Sequence, residues 1–113
     1  MKTNKHKLLL DLMNAFGVSG KEMEVRELIR SHVKNYVDSV HMDKSGNLIA
    51  YKKGKAPRVM IAAHMDEIGL MVKNIERDGK IRIATIGTIE DIVLLNERVE
   101  IRTRKGIVKG IIT

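Results

Sequence analysis

The chain has 113 residues and no cysteine, and its 21 lysine and arginine residues against 14 aspartate and glutamate residues give a net charge of +7. With 43% apolar and 31% charged residues, its composition is that of a globular protein. This argues against a disordered chain or a disulfide-stapled scaffold, and the lack of cysteine excludes a cysteine-ligated metal site. A single domain of this size can bury about two-thirds of its unfolded surface, so the length permits an independent fold but does not show that the fold is complete.

Composition also bears on possible partners. No apolar run approaches the ~20 residues that cross a bilayer, so we expect a soluble, cytoplasmic protein without a membrane partner. The only aromatic residues are Phe16, Tyr36 and Tyr51, too few for a base-stacking platform, and most basic residues alternate with acidic ones. We therefore expect no nucleic-acid partner.

Two helices are predicted first. Apolar residues recur at helical spacing from Lys5 to Phe16, where a glycine follows, and this predicts a short amphipathic helix. Ser19 and Glu22 have the spacing of a capping box, which predicts a second helix from this point to about Tyr36. The capping role also explains Ser19 better than a role as a catalytic nucleophile.

A change in periodicity from 3.6 to 2 then predicts strands. Residues 39–42 and 48–51 alternate around the turn residues 44–47 and indicate a hairpin. Residues 59–63, VMIAA, form an uncharged apolar run of strand length. Such a run favours a strand covered on both faces, inside an α/β sheet.

The second half of the chain has the pattern of a β-rich domain. Short strands are predicted at 69–75, 81–86, 98–102 and 107–112, separated by turn signals, which is typical of a small antiparallel barrel or sandwich. We therefore predict an α/β domain over residues 1–66 and a β-rich domain over residues 67–113. The last residues resemble a strand in progress, so we expect a truncated chain.

Titratable side chains follow the apolar run directly. His64 and Asp66 are two apart in an extended segment, so they are expected on one face, whereas Glu67 points to the opposite side. An imidazole there can ligate a divalent metal, and a neighbouring carboxylate can fix its tautomer. A hydrogen-bonding or capping role for His64 is the alternative, and spacing alone leaves both open.

The remaining histidines are weaker candidates. His6 lies in a lysine-rich start, His32 on the apolar stripe of the second helix, and His41 on the exposed face of a hairpin strand. A zinc site needs about four ligands, and Asp66 and Glu67 are the only acids near His64 in sequence.

Several motifs together resemble the glutamyl/tetrahedral metallo-aminopeptidase family, which includes proteins labelled deblocking aminopeptidase or cellulase M. In chain order they are FGVSG at 16–20, EVR at 24–26, Asp43 with GNLIA at 46–50, VMIAAHMDEIG at 59–69 and VEIRT at 99–103. The family usually has glycine where Thr88 and Asn96 stand, and of these two residues only asparagine adopts a left-handed backbone easily.

The resemblance implies the amino-terminal part of a zinc-exopeptidase-like α/β core, followed by the start of a small, barrel-like inserted domain. It implies a two-metal aminopeptidase, with zinc or cobalt, that releases amino-terminal residues from peptides. His64 would be a ligand of one metal, and Asp66 the catalytic carboxylate that orients it. Members of the family form homo-oligomers, commonly tetrahedral shells.

Three functional hypotheses follow from this resemblance. In the first, the chain is the amino-terminal fragment of such an enzyme and is inactive alone, because the other metal ligands and the general-base glutamate are absent. In the second, it is a non-catalytic assembly module that pairs with full-length relatives. The third and weakest is glycoside hydrolysis, which needs two carboxylates across a sugar.

Overall fold

A computed structural model describes residues 5–113. The elements, in chain order, are α1 (Lys5–Asn14), α2 (Met23–Val33), β1 (Ser39–Met42), β2 (Leu48–Tyr51), β3 (Gly69–Ile75), β4 (Ile81–Ile86), α3 (Asp91–Leu94), β5 (Arg98–Thr103) and β6 (Gly106–Ile111). The chain divides into two compact units, one ending at Glu67 and the other running from Ile68 to Thr113. Residues 1–4 of the first predicted domain lie outside the described residues.

Helices α1 and α2 are present, but the predicted capping box between them is wrong. The chain turns at Val18–Lys21, where the Lys21 N–H donates to the Val18 carbonyl and Gly20 has a φ of 83°. Because of this turn, α2 begins only at Met23 and no side chain caps it. The Glu22 carboxylate instead accepts a hydrogen bond from the Gly20 N–H.

The hairpin of β1 and β2 is confirmed, with Val40 opposite Ala50 and Met42 opposite Leu48. The Asp43 carboxylate closes its turn by accepting from the backbone N–H groups of Ser45 and Asn47, both at 2.9 Å. The side-chain amide of Asn47, at 2.8 Å, is the largest cause that lowers the pKa of Asp43. The turn is therefore stabilised by an ionised carboxylate.

The predicted interior strand at residues 59–63 is not formed. Val59, Met60 and Ile61 are 81%, 89% and 92% exposed, and no strand pairing involves them. A strand exists only where a neighbour pairs with its backbone, and none of the described strands pairs with residues 59–63. The apolar run remains uncovered.

The chain buries less of its surface than a compact domain of its size can bury. The chain exposes 10416 Å², whereas a compact protein of its 12.8 kDa would expose about 6,300 Å² and its unfolded chain about 18,600 Å². It thus buries about 44% rather than about two-thirds of its unfolded surface. Ala15 and Val25 are the buried apolar residues of the described chain.

The second unit contains the four predicted strands as two antiparallel pairs, β3 with β4 and β5 with β6. The described strands of this unit form separate two-stranded sheets, so the barrel or sandwich is not confirmed. The short helix α3 was not predicted. Asn96 has a φ of 66°, in agreement with its tolerance of the left-handed region.

The described residues are thus a mixture of helix and antiparallel strand. None of the helices within residues 5–113 is long and apolar enough to cross a membrane. The cytoplasmic location, and the assignment of the two units to a peptidase core and an inserted domain, stay predictions.

Candidate functional site

The site is built on the segment from His64 to Glu67, which is attached to the link between α1 and α2. The Glu67 N–H donates to the Gly17 carbonyl at 2.8 Å, and the Gly17 N–H donates to Glu67 Oε1 at 3.1 Å. Val18 and Glu67 form an isolated parallel bridge. A β-carbon on Gly17 would lie 2.6 Å from Cγ2 of the buried Val25, so only glycine permits this approach.

His64 and Asp66 lie within hydrogen-bond distance of each other. His64 Nδ1 is 3.1 Å from Asp66 Oδ1 and 3.0 Å from the Asp66 carbonyl oxygen. Both partners are acceptors when the carboxylate is ionised, so Nδ1 of the neutral ring must hold the proton. The lone pair of Nε2 is then available for a metal, and the imidazole is 86% exposed.

A small pocket of about 160 Å³ adjoins this pair and is lined by helix α2, the β1–β2 turn and residues 63–66. Arg26 connects the first two elements, because its Nε donates to the Gly46 carbonyl at 2.9 Å. Its guanidinium also lies 3.5 Å from the Glu22 carboxylate. Hydrogen bonding from the Gly20 N–H and, to a smaller extent, the Arg26 charge lower the pKa of Glu22.

The other histidines do not join His64. His32 Nδ1 lies 3.2 Å from the Leu28 carbonyl within α2, as a boundary hydrogen bond requires. His41 is exposed on β1. Within residues 5–113, no group of three or more histidine, cysteine or acidic side chains is arranged to hold a metal ion. His64 and Asp66 are therefore the predicted site residues that the structure brings together, and their roles stay predictions.

Sequence reasoning missed two contributors. Glu67 was expected to point away from His64 and Asp66, but its contact with Gly17, fifty residues earlier, was not foreseen. Arg26 was noted within a motif, yet its bond to the β1–β2 turn depends on the packing of α2. Gly17 and Arg26 both lie in motifs that resemble the family, so the sequence marked them as candidates. A motif does not reveal which residues its members contact.

A family profile and a curated relative both point to aminopeptidases. The sequence profile of the M42 glutamyl aminopeptidase family matches residues 46–113. The lysyl aminopeptidase of Pyrococcus furiosus is 42% identical over 106 residues, which cover 93% of this chain and 31% of the relative.

Solved structures give the same result. A TET aminopeptidase from a marine-sediment archaeon of the Thaumarchaeota has a TM-score of 0.87 at 39% identity, over 94% of this chain and 30% of that one. The Pyrococcus horikoshii TET1 peptidase, which can assemble into a tetrahedron or a large octahedral shell, has a TM-score of 0.83 at 36% identity. The match covers 93% of this chain and 32% of that one. An endoglucanase from Thermotoga maritima has a TM-score of 0.80 at 36% identity, over 89% of this chain and 32% of that one.

The chain spans 30 to 32% of the length of these proteins. The profile match covers more than half of its residues, including strand β2, the His64–Asp66 pair and the described strands of the second unit. The chain belongs to the M42 glutamyl aminopeptidase family.

Proposed function

We propose that these residues form the amino-terminal part of a divalent-metal-dependent aminopeptidase that releases amino-terminal residues from peptides. The contact between His64 Nδ1 and Asp66 Oδ1 carries the proposal. It leaves the outer ring nitrogen of an exposed imidazole ready to bind a metal, within the segment that the M42 family profile matches. Family membership supports the peptidase reaction class.

Each residue of the pair has a separate role. His64 offers Nε2 as a metal ligand, and Asp66 holds the proton on Nδ1 and thereby fixes the tautomer and the plane of the ring. Zinc or cobalt bound in a two-metal site supplies Lewis-acid polarisation of the scissile carbonyl and lowers the pKa of a bound water. In this proposal, Asp66 acts through His64 and does not itself touch the peptide.

The chain by itself is proposed to be inactive. A metal needs three or more ligands from the protein in a catalytic site, and no set of that size exists among residues 5–113. The 113-residue chain should therefore show no hydrolysis of aminoacyl p-nitroanilides or short peptides when zinc or cobalt is added. Turnover that disappears in His64→Ala would contradict this part of the proposal.

Ligation by His64 is tested separately from activity. Paramagnetic Co²⁺ broadens NMR signals near its binding site, so a titration of the ¹⁵N-labelled chain should broaden the amides of residues 63–67 first. His64→Ala should abolish this selectivity, whereas His41→Ala, which removes another exposed imidazole, should retain it. Equal broadening around His41 and His64 in the unmodified chain would refute ligation at this position.

Assembly is a second candidate function, and the uncovered apolar segment favours it. Val59, Met60 and Ile61 are among the most exposed apolar residues of the described chain, and an uncovered apolar patch typically marks an interaction site. We propose that copies of the chain associate through residues 59–61. Solved structures of the TET1 peptidase relative are themselves large assemblies, among them a dodecamer.

Light scattering across a range of concentrations tests this association. The unmodified chain should be larger than 12.8 kDa, and Met60→Lys should return it towards the monomer. Ile92→Lys is the matched control, because Ile92 is 78% exposed but lies in the second unit. A chain that stays monomeric at every concentration would contradict the assembly function.

We do not extend the proposal to glycoside hydrolysis. The carboxylates considered for it are both engaged elsewhere, Asp66 with His64 and Glu67 with Gly17. A glycosidase instead needs two carboxyl groups that face each other across a sugar.

A further inference from the structure

We infer that Glu67 is a positioning residue, which holds the His64–Asp66 pair in place through two hydrogen bonds to the backbone of Gly17. We call this pair of hydrogen bonds the clasp. The inference rests on the proposed function, in which His64 is a metal ligand. It assigns to Glu67 a role distinct from ligation, since its carboxylate oxygen is bound to a backbone N–H.

The clasp has two points of attachment. The main chain of Glu67 donates to the Gly17 carbonyl at 2.8 Å, and its side chain accepts from the Gly17 N–H at 3.1 Å. One residue thus satisfies both backbone groups of Gly17. A two-point contact fixes direction as well as distance, as a single hydrogen bond does not.

The clasp matters because the preceding segment lacks backbone hydrogen bonds to the rest of the described chain. Between Lys53, whose N–H donates to Asp38, and Glu67, the backbone makes no hydrogen bond to another element of the described chain. Residues 59–61 are almost fully exposed. Glu67 is therefore where this long stretch is first tied again to the body of its unit.

The partner of the clasp is buried and closely packed. Gly17 is buried between Ala15 and α2, and its α-carbon closely approaches the side chain of Val25, one of the two buried apolar residues of the described chain. The carbonyl oxygen of Met65 also lies 3.3 Å from the position of a Gly17 β-carbon. The clasp thus joins the site to the best-packed part of the first unit.

The connection to the imidazole is short. Asp66 is adjacent to Glu67 in the chain, and it presents both its carbonyl and its carboxylate oxygen to His64 Nδ1. Fixing the main chain at Glu67 fixes that carbonyl and the start of the carboxylate side chain. Without the clasp, an imidazole that is 86% exposed loses the frame that orients it.

The test uses the whole 113-residue chain with Glu67→Ala, Glu67→Asp and Glu67→Gln. Alanine removes the acceptor, and aspartate keeps the charge but is one methylene too short to reach the Gly17 N–H. Glutamine keeps an oxygen at the right distance. Glu27→Ala is the matched control, because Glu27 is an exposed glutamate of α2 that pairs only weakly with Arg30 at 3.6 Å.

Two readouts separate this inference from the proposed function. Long-range ¹H–¹⁵N spectra of the metal-free chain report the tautomer of His64. A zinc titration of the same signals reports its affinity. The Ala and Asp variants should lose the predominance of the Nδ1–H tautomer and bind zinc about 10-fold or more weakly, whereas the Gln and Glu27→Ala variants should match the unmodified chain.

The outcomes are distinct. If Glu67→Ala and Glu67→Asp keep both the tautomer and the zinc affinity, the clasp does not position His64 and the inference is overturned. If zinc never binds His64, the proposed function fails, while the tautomer comparison still decides the role of Glu67. If the alanine variant loses the amide pattern of α2, the other two variants decide the question, because aspartate keeps the charge without the reach and glutamine keeps the size and the acceptor oxygen without the charge.

Discussion

Replacing Gly17 with alanine tests the close approach on which the site depends. The new β-carbon would lie 2.6 Å from Cγ2 of Val25 and 3.3 Å from the Met65 carbonyl oxygen. Val25 is only 6% exposed, so it cannot move aside freely, and the link between the helices must shift away from Glu67. Overpacking of this kind costs about 1 to 3 kcal/mol.

The cost should be visible as local opening at Glu67, whose N–H donates to the Gly17 carbonyl. At about 0.6 kcal/mol for RT, a loss of about 1 to 3 kcal/mol corresponds to roughly 5- to 150-fold faster amide hydrogen exchange. NMR-detected exchange at Glu67 measures this change directly. Gly54→Ala is the control, since nothing lies within 4 Å of its added β-carbon.

The result that refutes this reasoning is an equal exchange rate for the Glu67 amide in Gly17→Ala, Gly54→Ala and the unmodified chain. Rapid, unprotected exchange of this amide in all three would show that the clasp does not persist in solution. A selective effect of Gly17→Ala, with α2 amides retained, is the expected outcome.

Three further predictions concern the parts that surround the site. Asp43→Asn should loosen the β1–β2 turn at neutral pH. The folded state lowers the pKa of Asp43 below its ordinary 3.8, so the unmodified turn should weaken as the pH falls from 3.8 through the lowered pKa and the carboxylate is protonated. NMR chemical shifts of the turn amides measure both effects. Gly87→Ala should destabilise the second unit by about 1 to 3 kcal/mol in a urea titration, because the residue has a φ of 83° and its β-carbon would lie 2.7 Å from Ile68; Gly79→Ala, with positive φ but open space, should cost less. Arg26→Ala should raise the exchange rates of turn amides without changing those of β3 and β4, because its Nε bond to the turn is lost.

The hairpins were predictable because their causes are local. Alternation along β3 and β4, with the turn residues between them, indicates a hairpin without reference to the rest of the chain. The register shift between Val72 and Asn74 and the role of Asp43 in its turn were not predicted. By contrast, the segment at 59–63 has strand composition but lacks a pairing partner, and pairing is a property of another segment. Composition alone therefore predicted the wrong state.

The site was predictable only in part, for a related reason. His64 and Asp66 are two residues apart, so their contact follows from extended backbone geometry. The contacts of Glu67 with Gly17 and of Arg26 with Gly46 join segments fifty and twenty residues apart. These contacts depend on how α2 packs beside the turn at Val18–Lys21. The capping pattern had placed the start of α2 within that turn, whereas the helix begins at Met23.

The most direct test of the account is a zinc titration of the chain that follows the ring nitrogens of all its histidines by long-range ¹H–¹⁵N NMR. We expect the Nε2 signal of His64 to respond first and to move towards the metal-bound range, while its Nδ1 remains protonated beside Asp66. A response that is equal at His32 or His41, or that appears at Nδ1 of His64, would contradict the assignment of His64 as the oriented metal ligand.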